Sequence, residues 1–431
     1  MIERKKREGW FRARTYPHLD YPLSFAAAKA LATDPELVSR RSFLPFLRYK
    51  DERRQFRTDN SDRTIPKRLR PRFSKTKSRD IRYASHADSA IFSYYAFRLQ
   101  DAYDDFLKRE ALDDVVIGYR AGLGSNVDMA AAAFSEVASR SDCVALAFDI
   151  SDFFPSIEHH TLKRSVARVL GENELPRDWY KIYRAMTKFA SLDLSDIYAV
   201  EGFNRKTAPS PLVKDIPSAL KKYRAAGLIQ VNTVGHGIPQ GSPISAVMAN
   251  VSMIEFDEAV KNWCDTHNAY YRRYSDDILV IARTTDEAAV TQLIQGVAQG
   301  TGLGLIVNPE KTEISRFTEV ASAVHDSDRP LTYLGFTYDG RVAALKARTL
   351  SRYYRRVTYG ARATVRGARA AGASALKAYR RSVFRELTHL GRRNFYQYAK
   401  RADSKFHSSR VKRQMRRHFI IVLRKLLAKG R

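Results

Sequence analysis

The chain has 431 residues, is 44% hydrophobic and carries a formal net charge of +29. That is length enough for two or three domains and a sizeable core, and a balance too basic for an ordinary enzyme of small metabolites; it points to a polyanionic partner, most simply nucleic acid. The two cysteines, Cys143 and Cys264, form no CxxC pair, which argues against a zinc module or disulfide framework and fits a reducing cytoplasm. No apolar run approaches the ~20 residues a membrane span needs. The opening MIERKKREGW lacks the apolar core of a signal peptide, which leaves a polybasic membrane-surface segment as the alternative reading.

In chain order, residues 1–74 read as a basic N-terminal extension, and the densely charged stretch 50–80 is expected to be mobile in part. From 75 to 340, strands and helices alternate. VALAFDI (144–150) predicts a strand, and HHTLKRSVARVLG (159–171) a helix stopped by Gly171. Residues 190–235, rich in Pro, Ser and Lys, read as an irregular insertion. SPISAVMANVSMIEFDEAVKNW (242–263) predicts one long helix, and DEAAVTQLIQGVAQGTG (286–302) another. Residues 341–431 hold 27 Lys/Arg against two acids, Glu386 and Asp403, so +25 of the surplus sits there. With no proline and with Leu376, Tyr379, Val383, Leu387 and Leu390 at helical spacing, this segment predicts a basic helical domain. A solvated helical surface over a small core is the plainer alternative. No internal repeat is visible.

Two segments place acids in apolar surroundings. YRRYSDDILVIA (271–282) reads as a buried strand carrying Asp276 and Asp277 side by side, and FDISDFF (148–154) ends an apolar strand in Asp149. Alone, an aspartate at a strand end is commonly a cap or turn residue. Together, a strand ending in Asp and a hairpin bearing Asp-Asp can assemble a carboxylate cluster, which repels itself unless a divalent cation neutralises it. Carboxylate and water ligands select Mg2+ or Mn2+, and a pair of such ions clamps an in-line phosphoryl transfer.

The combination resembles the palm of reverse transcriptases. The residues that carry the resemblance are Tyr-x-Asp-Asp at 274–277, Asp-x-x-x-Phe-Phe at 149–154 and GIPQGSPISAVMAN at 237–250, in the family's order. VNPEKTEI (307–314) is similar to the palm-lysine motif, YLGF (333–336) to the primer grip, and RDIRYAS (79–85) to the basic fingers strand. The resemblance implies an α+β right-hand polymerase: fingers and palm over 75–340, the insertion at about 190–235, and a basic all-α thumb or C-terminal domain over 341–431.

It also implies roles. Asp149 and Asp276 would hold two metals, Asp277 would mainly set the field, and the Ile150 carbonyl would complete one metal's oxygen shell. Phe154 would be the sugar gate, a ring that clashes with a ribose 2′-OH; plain core packing is its alternative. Gln240 and Gly241 would lie under the nucleotide and templating base, Gly241 permitting close backbone approach. Arg79, with Lys77, would neutralise the triphosphate. Lys311 would be the general acid on pyrophosphate, against the alternative of a solvated loop lysine. Leu334 and Gly335 would fix the primer end. His159, His160 and His236 read as helix-start and turn residues rather than ligands. The tail tyrosines (Tyr353, Tyr354, Tyr379, Tyr396, Tyr398) read as packing or stacking groups.

Within the family, the chain lacks the second histidine of the retron Asn-Ala-x-x-His signature in HNAYYRR, and its two cysteines do not supply a zinc nuclease. QGSPIS followed by AN, the long ASHADSAIFSYYAFRLQDAYDDFL stretch, GYR at 118–120 and the basic C-terminus look most like bacterial defence-associated reverse transcriptases of the abortive-infection and unknown-group lineages. That implies a cytoplasmic RNA-directed DNA polymerase using dNTPs to copy, or work with, a structured non-coding RNA template into a DNA product in antiviral defence. Oligomeric state stays open. A retron-type enzyme, a protein-primed or untemplated polymerase, and a decayed polymerase kept as an RNA scaffold are the competing readings; the intact acids argue against the scaffold.

Overall fold

The computed structural model describes residues 9–58, 64–66, 69–204, 207–300, 302–309, 311–372, 385–418 and 420–424. The chain is α+β with a helical C-terminal region. It divides into two compact units, each built from separated stretches of sequence: one from residues 1–119, 151–258 and 297–306, the other from 120–150, 259–296 and 307–431.

The first unit has a four-stranded sheet ordered Asp80–Tyr83, Phe46–Lys50, Ala190–Asp193, Gln230–Val231. The central pair, Phe46–Lys50 with Ala190–Asp193, is parallel and the outer pairs are antiparallel. The stretch 190–235 is therefore not an irregular insertion. It supplies two strands and the helices Leu194–Glu201 and Ile216–Ala225, and its Leu192, Ile197, Leu212 and Tyr223 bury against Leu19 and Leu47. Arg53–Thr58 and Arg72–Lys77 pair as an antiparallel ribbon within the densely charged stretch; backbone ladder bonds need no apolar side chains. The expected single helix over 242–263 is two, Ser245–Val251 and Ile254–Thr266. Between them the Ser252 hydroxyl donates to the Ala249 carbonyl at 2.9 Å and the Met253 amide tightens onto Asn250, the back-bonding by which serine bends a helix.

The second unit carries the helix α1 (Asn126–Ala138) and a five-stranded sheet made of β1 (Cys143–Asp149), β2 (Tyr270–Tyr274), β3 (Asp277–Ala282), β4 (Glu313–Ala321) and β5 (Val324–Ser327). Its order is β5-β4-β1-β3-β2 and every pairing is antiparallel. Val144, Leu146 and Phe148 of β1 and Ile278 to Ala282 of β3 are all buried, so the middle of the sheet reads as continuous apolar sequence. A smaller sheet follows from β6 (Leu331–Tyr333), β7 (Phe336–Tyr338) and β8 (Ala343–Leu345). The helix Glu287–Gly300 follows β3 in sequence, and the unit's helices α2 (Ala347–Ala370), α3 (Phe395–Phe406) and α4 (Ser409–Met415) follow β8. Tyr353, Val357, Ala361, Leu387 and Val422 form its helical core, and the Gln414 side chain clasps both backbone groups of Leu345 at 2.9 and 3.0 Å. Of the expected helical repeat, Leu387 is buried but Leu390 is 59% exposed, while Leu376, Tyr379 and Val383 lie outside the described residues.

Candidate active site

The acids are gathered by register. Asp149, the last residue of β1, stands opposite Asp277, the first of β3. YRRYSDDILVIA is not one strand: Tyr274 pairs directly with Asp277, leaving Ser275 and Asp276 as a two-residue hairpin turn with Ser275 at φ +59°. The turn is held from below by the buried Arg273, whose Nη1 donates to the Ser275 carbonyl at 3.1 Å. From the side, the Ile150 amide donates to the Asp276 carbonyl at 3.3 Å. The three carboxylates thus share one end of the sheet, two through strand pairing and one through the turn between strands.

Lys311 joins them from the other flank. The Asn308 amide donates to the Asp149 carbonyl at 2.8 Å, and Lys311 and Thr312 both bond back to Asn308. This turn delivers the Lys311 ammonium onto the Asp149 carboxylate, while the side chain itself stays exposed. Burial, then the repulsion of Asp149, pushes the Asp276 carboxyl up against hydrogen bonds that favour its charge. Asp277 keeps solvent contact, yet protein crowds enough of its carboxyl that desolvation, with Asp276 and Asp149 beside it, pushes it up to about 7. Lys346 and Lys311 pull the other way.

The trio is thus an under-neutralised all-oxygen donor set, which fits a hard divalent cation. Among the described residues no three His, Cys, Asp or Glu side chains already stand in metal-ligating positions; at Asp149 the Lys311 ammonium takes a cation's place.

Leu334 and Gly335 form the turn between β6 and β7, both at positive φ (+45° and +93°). The Gly335 carbonyl accepts from the Lys346 amide at 3.0 Å, which ties this turn to the start of α2. Lys346 was not singled out in the sequence because it is one of 27 basic residues in its segment. Tyr333 was also missed: its hydroxyl is buried without a partner among the described residues, near enough to Asp277 to feel its charge.

The remaining expected residues lie in the first unit. Phe154 is half-buried beside Phe153, ring centres 5.7 Å apart, and its carbonyl accepts from Ile238 at 3.0 Å. The following loop is pinned where the Arg82 amide donates to the Gln240 carbonyl at 2.8 Å. Gly241 has φ +124°, and a Cβ there would stand 2.7 Å from the Arg82 carbonyl. The close approach that demands glycine is therefore to a neighbouring strand. Gln240 and Gly241 thus lie against the strand Asp80–Tyr83, with Phe154 bonded to the same loop through Ile238. Lys77 and Arg79 are exposed near that strand's start, with Arg79 and Asp51 exchanging backbone bonds at 2.8 and 3.2 Å. Arg82 went unnoticed in the sequence; its guanidinium lies 5.3 Å over the Phe189 ring with Nε buried and unpartnered among the described residues.

Residues 65–338 match the model of the reverse transcriptase (RNA-dependent DNA polymerase) family. The chain belongs to that family, and its α+β architecture is the reverse transcriptase fold. Among solved structures it is similar to apo telomerase from Candida tropicalis truncated of its C-terminal domain: 12% identity, TM-score 0.43, covering 63% of this chain and 53% of that one. It is also similar to telomerase from Candida albicans in complex with a fragment of telomeric RNA: 10% identity, TM-score 0.40, covering 93% and 65%. The chain spans about half the length of the first. No curated protein sequence matches it. Among the described residues no helix is long and apolar enough to cross a membrane.

Proposed function

We propose that the chain is an RNA-directed DNA polymerase that joins deoxynucleotides to a DNA 3′ end at the Asp149–Asp276–Asp277 edge. The observation that carries this reading is the β1–β3 register, which lines up Asp149 with Asp277 and hangs Asp276 on the turn beside them. A divalent cation, Mg2+ or Mn2+, held by the three carboxylates and the Ile150 carbonyl would supply Lewis-acid activation of the attacking hydroxyl and charge neutralisation of the transferring phosphoryl group. The protein's own groups do the rest. Lys311, once released from Asp149, is placed to donate a proton to the departing pyrophosphate. Leu334 and Gly335 position the primer end. Phe154 excludes a 2′-OH, Gln240 and Gly241 support the incoming nucleotide and template, and Arg79 with Lys77 meets the triphosphate. In this reading 75–340 are fingers and palm and 341–431 the thumb.

The template is a structured non-coding RNA and the setting bacterial antiviral defence in the cytoplasm; the sequence resemblance of QGSPIS-AN, GYR and the basic tail to defence-associated enzymes supports this part. The test is incorporation of labelled dNTPs on a primed RNA, with and without divalent metal, joined to sequencing of nucleic acid that co-purifies with the protein. Metal-independent incorporation, or none on any primed template, sinks the polymerase reading. Co-purifying nucleic acid of random sequence sinks the cognate-RNA part.

A further inference from the structure

In the helical C-terminal region, α2, the segment 385–394 and the start of α3 surround a cavity of about 1300 Å³. Five arginines line it: Arg352 and Arg356 from α2, and Arg385, Arg392 and Arg393 from the connecting segment, with Glu386 as the single acid on the wall. Among the described residues none of the five forms an ion pair or a side-chain hydrogen bond. Elsewhere in the same unit arginines are neutralised: Arg316 by Glu287 and Asp328 at 2.6 and 3.0 Å, and Arg410 by Asp339 at 2.7 Å. The cavity walls are tied down all the same. The Tyr353 hydroxyl donates to the Leu387 carbonyl at 2.6 Å, Asn394 Nδ2 donates to the Arg385 carbonyl at 3.1 Å, and Phe395 stacks on Tyr353 at 4.2 Å. Half-buried Phe395 and Tyr398, 5.9 Å apart, and exposed Leu390 give the wall an apolar, aromatic face. The N-terminus of the 12-residue helix α3 opens beside it, capped by Asn394.

We propose that this pocket holds a single-stranded segment of nucleic acid, with phosphates on the guanidiniums and a base against Phe395, Tyr398 and Leu390. Five exposed like charges on one wall, with no ion-pair partner among the described residues, repel one another until a polyanion arrives, and the guanidinium fork matches phosphate oxygens. Aromatic faces next to a basic wall are what unpaired bases stack on. A duplex keeps its base faces stacked inside and offers these rings nothing. Ligand pockets begin at about 300 Å³, so the space admits two or three unpaired nucleotides. The pocket is also joined to the acid edge. Thr349, on its wall, lies 3.8 Å from where a Cβ on Gly335 would stand, and Lys346, which acts on Asp277, begins the same helical run. From Lys346 to Arg356 the helix rises about 15 Å, the order of four base steps at ~3.4 Å. The inference deepens the polymerase reading, but binding is measured without synthesis, so the two can fail separately.

The test compares the full chain with the triple variant Arg352→Gln, Arg392→Gln, Arg393→Gln by fluorescence anisotropy. The probes are a ten-nucleotide RNA, the DNA of the same sequence, and a flush-ended duplex. Single-strand affinity is expected to fall at least tenfold, with the slope of log affinity against log salt shallower by about 2, since each lost contact removes ~0.7. Duplex affinity is expected to move less than threefold. Loss confined to RNA assigns the pocket to template or cognate RNA, and loss on DNA as well assigns it to a strand of either sugar; both support the proposal. Unchanged single-strand affinity, or an equal loss on the duplex, overturns it. Two measurements keep the result independent of misfolding. The Arg→Lys version of the triple variant should recover most of the salt slope. Photo-crosslinking of a 4-thiouridine oligonucleotide to the unaltered protein should map to residues 385–398, and a map lying elsewhere overturns the assignment.

Discussion

The acid edge of the five-stranded sheet and the arginine pocket of the helical region are opposite in sign and alike in being uncompensated. At the sheet, three carboxylates meet, with Lys311 the one cation in contact with them among the described residues, and Asp277 is pushed up to about 7. In the pocket, five guanidiniums face one acid. Between these extremes the second unit pairs its charges conventionally, as Arg316 and Arg410 show. The contrast teaches that net charge alone does not locate function. Charge that the fold leaves unbalanced does, because desolvation and self-repulsion are borne there without a structural return.

The sharpest way to break this comparison is at the acids. Asp276→Asn with Asp277→Asn should reduce incorporation to below roughly a tenth of wild type by removing the charge that a divalent ion needs, while leaving helix content and RNA affinity unchanged. A primer-extension assay beside circular dichroism and anisotropy decides it, and residual synthesis above that level ends the assignment. On the basic side, Lys412, Arg413, Arg416 and Arg417 are all exposed on or just after α4. Reversing all four to Glu should lower the salt slope of RNA binding by about 3, because Glu is as good a helix former as the residues it replaces. An unchanged slope would make that face merely solvated.

A smaller effect is expected at the sugar. Phe154→Val should cut the preference for dNTPs over rNTPs roughly tenfold, the scale of one shape contact in a pocket; a constant selectivity ratio would return Phe154 to core packing. The smallest effect concerns charge that the fold excludes rather than leaves open. His18 is fully buried, its Nδ1 accepting from the Leu19 amide at 2.8 Å, and desolvation pushes it down to about 4 from 6.5. A folded-state value below the unfolded one means that the unfolded chain takes the proton first. Stability contributed by neutral His18 is therefore complete above pH 6.5 and lost as pH falls toward 4. Melting temperature against pH should drop across that window, and His18→Gln should flatten the drop; an unaltered profile would remove His18 from the account.

The acid edge was legible because aspartates among Ile, Leu, Val and Phe are expensive and therefore informative. A hairpin bearing Asp-Asp was expected; what the sequence concealed was that its turn falls on Ser275–Asp276 itself, since no Gly or Asn marks it. The stretch 190–235 concealed its share of the core because Leu192, Ile197, Leu212 and Tyr223 are scattered among polar residues and meet only in three dimensions. The break at Ser252–Met253 was hidden because serine is compatible with a helix until its hydroxyl finds a carbonyl. Lys346 and the pocket arginines were hidden by abundance, since one cation among 27 in a segment carries no signal until its neighbours are known.

The interleaving of the two units has a consequence for biosynthesis. Asp149 stands opposite Asp277, so 128 residues separate the two ends of that pairing. At the ~5–20 residues per second of translation, β1 waits on the order of 6–25 s after synthesis before its partner strand exists, and longer for β4 on its other side. Throughout that interval Cys143–Asp149, apolar along nearly its whole length, is a strand with two open edges. The nascent chain therefore passes through a period in which a strand from the middle of the finished sheet is exposed and adhesive, and truncation before Tyr270 would leave it permanently so.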